Sequence, residues 1–282
     1  MPEPVVANVS DTARWVAVYR AWESARPDAL FKDPYAERLA GERGRAIAAL
    51  APRQARSGWP MIARTKLIDD LLLASVAEGC ERVVNLAAGF DTRPYRLALP
   101  AALDWIEVDL PALIEEKERA LDGETPVCRL TREKADLADP AARADVLERV
   151  TRAATKVLVI TEGLLIYLKD DVVRSLSDDL ASRPAVRFWL IDLASPAILQ
   201  MMQKGMAEHL ANAPLQFAPP DGIAFFETLG WQARDVRSIF HEAVRFRRVP
   251  WLLRPFALLP APDPRKLGSR SRWSAVVRLE RR

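Results

Sequence analysis

Apolar and polar positions alternate in blocks along this chain, and the blocks change period repeatedly. Between Met61 and Ala77, Ile68, Leu71, Leu72, Ser75 and Val76 fall on one face at helical spacing, with Gly79 placed to cap the end. Arg82-Val83-Val84-Asn85-Leu86 follows as a short β-branched run, which predicts a buried strand, and Ala87 to Asp91 is the turn after it. Asp104 to Asp109 predicts a second strand. Pro111 then opens a helix that places Leu113, Ile114, Lys117 and Leu121 on one side. Val127 to Leu130 reads as a weak strand, Pro140 to Arg152 as a helix, Lys156 to Thr161 as a strand, Asp170 to Ser182 as a helix and Val186 to Leu193 as a strand. Val157-Leu158-Val159-Ile160 is apolar without alternation, as a strand covered on both faces requires.

Strands alternating with helices predict an α/β fold, a Rossmann-like, doubly wound and mostly parallel sheet. The pattern loosens after Ser195. Ala197 to Ala211 and Asp221 to Leu229 read as helices, and Ala243 to Arg248 with Trp273 to Leu279 as two late strands forming an antiparallel edge. At the other end, Asp11 to about Gly44 reads as helical. Asp33 is placed as N-cap and Pro34 at the first helical position, and Ala46 to Pro60 reads as turn or loop. The expected division is an N-terminal helical lid over residues 1–60 and one globular unit over residues 61–282.

Half of the 282 residues are apolar and 28% are charged, an ordinary globular balance. The net charge of +3 is too small to argue for nucleic acid. The excess is local. Arg234 to Arg282 holds 13 Lys and Arg against 4 Asp and Glu, a charge of +9 that leaves about −6 elsewhere. Such a stretch reads either as a solvated face or as a site for an anionic substrate or RNA phosphate. Cys80 and Cys128 match no zinc or redox spacing, so no metal or disulfide framework is expected. No signal peptide or membrane span is visible, which fits a cytoplasmic protein without a membrane partner.

In an open α/β sheet, ligands bind beyond the carboxyl ends of the strands. Gly89 lies after the first strand, where it is either a plain turn or a bend that lets backbone approach a ligand. The G-x-G-x-x-G pattern is absent, because positions 87 and 88 are Ala, which disfavours a nicotinamide dinucleotide and an oxidoreductase. Asp109 ends the second strand 20 residues after Gly89. It can accept from both ribose hydroxyls of an adenosine or cap the helix opened by Pro111, and Glu107 competes for the same face. Asp136 and Leu137 follow the third strand, where they read first as a solvated loop and otherwise as partners for an adenine amino group and ring. Glu162 ends the fourth strand, where a carboxylate is costly unless paired or used. Tyr167 lies five residues on. Arg64, near the start of the helix before the first strand, can grip a carboxylate bidentately.

Val83 to Leu97 (VVNLAAGFDTRPYRL) resembles the first motif of the leucine carboxyl methyltransferase family, most closely a bacterial branch associated with polyketide O-methylation. Glu107 to Pro111 with Lys117 resembles its second motif, and Thr161 to Leu168 its fourth-strand motif. Arg64 to Asp70, Asp33 to Ala36, Trp189 to Pro196 and Gly230-Trp231 extend the likeness from about Asp11 to Pro250. The resemblance implies S-adenosylmethionine (SAM) as cofactor. Arg64 would bind its carboxylate, Gly89 would lie under its methionine part, Asp109 would hold the ribose, Asp136 with Leu137 the adenine and Glu162 the amino group. Arg14 aligns with a basic lid residue near the cofactor and Tyr167 with a substrate-side tyrosine.

The sequence departs from the family's Asn-Leu-Gly-Ala-Gly at Ala87, which leaves open weakened affinity or a binding role without turnover. His209 and His241, the only histidines, are not compelling bases, so no catalytic residue is assigned. The expected function is O-methylation of a small, polyketide-like molecule. Methylation of a protein C-terminal carboxylate or of an RNA base is the alternative.

Overall fold

A computed structural model of the chain describes residues 9–50, 57–206, 214–267 and 270–282, with side chains at 9–10 and 205–206 left aside. His209 lies outside the described residues. Three helices precede the sheet: α1 (Val9–Ser24), α2 (Ala36–Leu50) and α3 (Trp59–Ala77). The chain then runs through β1 (Arg82–Leu86), α4 (Arg93–Arg96), β2 (Asp104–Asp109), α5 (Pro111–Ala120), β3 (Arg129–Lys134), α6 (Pro140–Thr151), β4 (Val157–Thr161), α7 (Asp170–Ala181) and β5 (Val186–Ala194). It closes with α8 (Pro196–Met206), α9 (Ile223–Glu227), β6 (Trp231–Ser238), α10 (Ile239–Arg245) and β7 (Ser274–Arg281).

Seven strands form one sheet in the order β3-β2-β1-β4-β5-β7-β6. The first five pair in parallel, and β7 runs antiparallel to both β5 and β6. This is the Rossmann-like, doubly wound α/β architecture with an antiparallel edge that the sequence predicts. Successive residues of a strand face opposite sides. Val157 and Val159 accordingly join the cluster packed by α6, α7 and α9, while Leu158 and Ile160 join the one packed by α3 and α10. A third cluster joins α1 and α2 to Phe90, Tyr95 and Leu113, residues that follow the carboxyl ends of β1 and β2.

Several expected boundaries move. The first late strand is β6, Trp231–Ser238, whereas Ala243 to Arg248 lies largely in α10. Every second residue at the start of β6 is charged or polar, which hides the strand, while Ile239 and Ala243 are buried at helical spacing. The third strand is Arg129–Lys134 rather than 127–130. It is the sheet edge, paired through its backbone to β2, and its polar residues give little apolar signal. Part of the expected 46–60 loop belongs to α2, which runs to Leu50 and buries Ile47 and Ala48. Asp33 does not sit at the N-cap; it shapes the turn before α2 by accepting from the Tyr35 amide at 3.2 Å. The expected helix over 197–211 appears as α8 as far as Met206, the rest lying outside the described residues.

Candidate active site at the carboxyl rim of the sheet

The turn after β1 carries two residues with left-handed backbone, Ala87 at φ 55° and Gly89 at φ 48°. Glycine reaches this region freely, whereas alanine does so at a steric cost. Ala87 thus adopts the bend that a glycine would, and the missing glycine does not abolish it. The Gly89 amide donates to Asp109 Oδ2 at 2.7 Å, and the Leu110 amide donates to Oδ1 at 2.8 Å. Asp109 therefore holds the glycine bend and starts the following helix. Burial, only partly offset by these two amides and Lys117, raises its pKa above the ordinary carboxylate value.

Glu107 does not compete with it. It is fully buried between Lys117 Nζ at 2.7 Å and Arg132 Nε at 2.9 Å, so both its oxygens are spoken for by cations. Asp136 lies just past the adjoining strand and is exposed. Its Oδ1 accepts from the Ala138 amide at 2.9 Å, and Leu137 packs against the core. The Ala135 amide donates to the Asp109 carbonyl at 3.0 Å, which sets the two strand ends side by side.

On the other side of β1, Arg64 reaches from α3 to the end of β4. Its Nε donates to Glu162 Oε1 at 3.0 Å and its Nη1 to Asp192 Oδ2 at 3.1 Å. Asp192, near the end of β5, also accepts from the Gly163 amide at 2.7 Å. Glu162 takes a second guanidinium, Arg93 Nη1, on Oε2 at 2.8 Å. Burial pushes Glu162 up, but Arg93 and Arg64 outweigh it and hold the carboxyl below its ordinary value. Arg93 continues the network to Asp91 at 2.6 Å and to Asp69 at 2.6 Å, and Asp69 also takes both Arg96 Nη atoms at 2.7 and 2.8 Å.

Helix α1 lies over this rim. A Cβ on Gly89 would stand 3.3 Å from the Ala13 Cβ. Arg14 stacks on the Phe90 ring, 5.5 Å from its centroid, and pairs with Glu116. Its other terminal nitrogen, Nη1, is buried with no hydrogen-bond partner among the described residues. Arg20 donates to the Phe90 carbonyl at 2.6 Å and to Asp33 at 2.8 Å, and Asp33 in turn accepts from Thr92 at 2.6 Å. Tyr167 follows β4 in a 3₁₀ turn. Burial raises its pKa, so the phenol is neutral near pH 7, and it is hydrogen-bonded to Thr12 of α1.

Gly89 and Asp109 thus touch, Arg64 and Glu162 touch, Arg14 stands beside the turn, and Asp136 with Leu137 lies one strand further out. His241 is apart, its ring bonded to Ser238 at 2.9 Å on α10. Sequence reasoning assigned no role to Asp69, Asp91, Arg93 and Asp192. A charge inside an apolar run, as in Leu190-Ile191-Asp192-Leu193, is the signal that marks such residues.

The model of the leucine carboxyl methyltransferase family matches residues 13–181. A Streptomyces coelicolor protein provisionally named an S-adenosyl-L-methionine-dependent methyltransferase is 32% identical over 268 residues, covering 90% of this chain and 91% of its own. A Frankia alni protein with the same provisional name is 37% identical over 256 residues, covering 83% and 86%. The fold matches the crystal structure of a Thermobifida fusca protein provisionally described as a methyltransferase. Its TM-score is 0.60 at 17% identity, with 99% of this chain and 96% of that one covered. The chain therefore belongs to the leucine carboxyl methyltransferase family and is an S-adenosylmethionine-dependent methyltransferase.

Proposed function

We propose that the enzyme transfers the methyl group of SAM to an oxygen of a small, polyketide-like acceptor, a hydroxyl or a carboxyl group. The observation that carries the donor site is the Gly89–Asp109 hydrogen bond of 2.7 Å at the carboxyl ends of β1 and β2. A carboxylate offers about four acceptor positions. Two on Asp109 take backbone amides, and the rest suit the ribose hydroxyls. Asp136 and Leu137 would take the adenine.

The amino-acid end fits the charged groups between β1 and β4. Arg64 and Arg14 would receive the carboxylate and Glu162 the amino group. The partnerless Arg14 Nη1 supports this, because a buried guanidinium nitrogen without an acceptor is an anomaly that a bound carboxylate would remove. A Cβ on Gly89 would stand 3.3 Å from the Ala13 Cβ, so α1 covers this turn, and residues 1–60 would act as a lid on the unit formed by residues 61–282.

Bound SAM supplies an electrophilic methyl on a sulfonium, open to in-line displacement by an oxygen. The chain's own contribution is alignment and exclusion of water, and positioning of this kind is worth about 7–11 kcal/mol of barrier. Ile166, Tyr167, Leu199 and Leu215 meet α1 in one apolar cluster and would line the acceptor side. Tyr167, kept neutral by burial, would orient the acceptor oxygen rather than deprotonate it.

Titration calorimetry with S-adenosylhomocysteine tests the donor site. Asp109→Ala and Arg64→Ala should each weaken binding by about tenfold or more, the loss of a charge-assisted hydrogen bond. Tyr167→Phe should leave binding intact and lower turnover. Wild-type affinity in Asp109→Ala would overturn the donor-site assignment.

A further inference from the structure

Half of the twelve large hydrophobic side chains that are exposed among the described residues fall between Trp251 and Leu259. The segment is a 3₁₀ helix, Trp251–Leu258, with Pro255 inside it and no buried residue. Trp251 is 72% exposed, Leu258 88%, Leu252 64%, Leu259 60% and Phe256 56%. Scattered exposed leucines are ordinary, but a contiguous run of aromatic and aliphatic side chains marks an interaction surface.

The surrounding charge selects the partner. The strap sits within the basic stretch from Arg234 to Arg282, in which Arg234, Arg245, Arg248, Arg265 and Arg278 are ion-paired. Arg247 precedes it and Arg254 lies within it; both are exposed and form no ion pair among the described residues. A second copy meeting the same face would bring the exposed Arg247 and Arg254 of the two copies together, since a two-fold interface pairs identical surfaces. Trp, Phe and Leu set among arginines suit an anionic lipid surface, where rings and alkyl chains enter the headgroup boundary and guanidinium groups meet phosphates. The strap is also firmly held at its start. The buried Arg248 side chain donates to Glu23 at 2.8 Å and to Asp28 at 3.1 Å, which fixes the preceding residues to the end of α1.

We propose that the Trp251–Leu259 strap docks the enzyme onto an anionic membrane surface, lying in the interface without crossing it. No helix among the described residues is long and apolar enough to span a bilayer, and docking of this kind needs none. Because the strap is anchored to α1, docking sets the candidate lid beside the lipid.

Vesicle flotation of the full chain tests this. Vesicles of phosphatidylcholine with an equal share of phosphatidylglycerol should carry the protein at least about tenfold more strongly than phosphatidylcholine alone, and added salt should weaken the binding. Trp251→Ser/Leu258→Ser should lose about tenfold or more of it, with thermal unfolding and S-adenosylhomocysteine affinity unchanged. Arg247→Gln/Arg254→Gln, which leaves the apolar residues in place, should bring binding to anionic vesicles down toward the neutral level. Failure of the wild type to float with anionic vesicles would overturn the proposal, as would equal flotation of the serine variant. Light scattering that finds a wild-type dimer made monomeric by the serine changes, without lipid binding, would assign the face to a second copy instead.

Discussion

Ala87 holds a left-handed backbone at φ 55° in the turn next to the proposed donor site. An L-residue there is strained by about 1–2 kcal/mol, and glycine gives back about 0.5–1 kcal/mol through its freedom in the unfolded chain. Ala87→Gly should therefore stabilise the protein by about 0.5–1 kcal/mol, read as a higher melting midpoint in calorimetry. A lower midpoint would mean that the alanine methyl contributes more by packing than the bend costs. The same reasoning runs the other way at Gly89. A methyl there would meet both the positive φ of 48° and, at 3.3 Å, the Ala13 Cβ, so alanine is less favourable at 89 than at 87.

Between elements, the arginines do the joining. Arg93 stands at the start of α4, yet it binds Asp69 of α3, Asp91 of the turn after β1 and Glu162 at the end of β4. Its side chain is only 2% exposed, so screening by water is slight. Removing one member of a buried ionic group leaves uncompensated charge, at a cost of about 3–5 kcal/mol. Arg93→Met should lose about that much in denaturant unfolding, where an effect below about 1 kcal/mol would contradict the network's role. The stability of the variant should also depend less on acid. Burial raises Asp91, but Arg93, Lys117 and Arg96 together bring it from 3.8 down to about 2. The unfolded chain thus binds more protons in that window. The stability Asp91 contributes is complete above 3.8 and fades as pH falls through about 2. Without Arg93 the folded pKa of Asp91 rises toward 3.8, so the gap between wild type and variant should be widest near neutral pH and narrow as pH falls.

Across the whole molecule, α1 couples the N-terminal helices to the sheet rim through Ala13, Arg14 and Arg20, and to the C-terminal region through Glu23 and Arg248. A ligand held under α1, as proposed, would bind the folded chain and not the unfolded one. Saturation should raise stability by about 2.7 kcal/mol at a concentration a hundredfold above the dissociation constant. S-adenosylhomocysteine should accordingly raise the melting temperature in a concentration-dependent way, and NADH should not. Equal stabilisation by both would argue against a site selective for the sulfonium-type donor.

The chain's periodicities alone determined the alternation of helix and strand, and with it the parallel sheet and the rim where ligands bind, because burial on two faces imposes an apolar run that pairing partners do not alter. β1 was legible to the residue for that reason, and β2, with acids at three of its six positions, also has the expected bounds. Edge strands escaped, since β3 and β6 are held by backbone pairing and carry charged side chains at exposed positions. Gly89 and Asp109 were legible as candidates because each follows a strand. Only the folded chain decided between Asp109 and Glu107, by burying Lys117 and Arg132 against the latter. Only it brought Arg64, Arg93, Glu162 and Asp192 together, from positions as far as 128 residues apart. Ion pairs between distant elements leave no periodic trace in a sequence, because they depend on strand order and on helix direction, which emerge only when the elements pack.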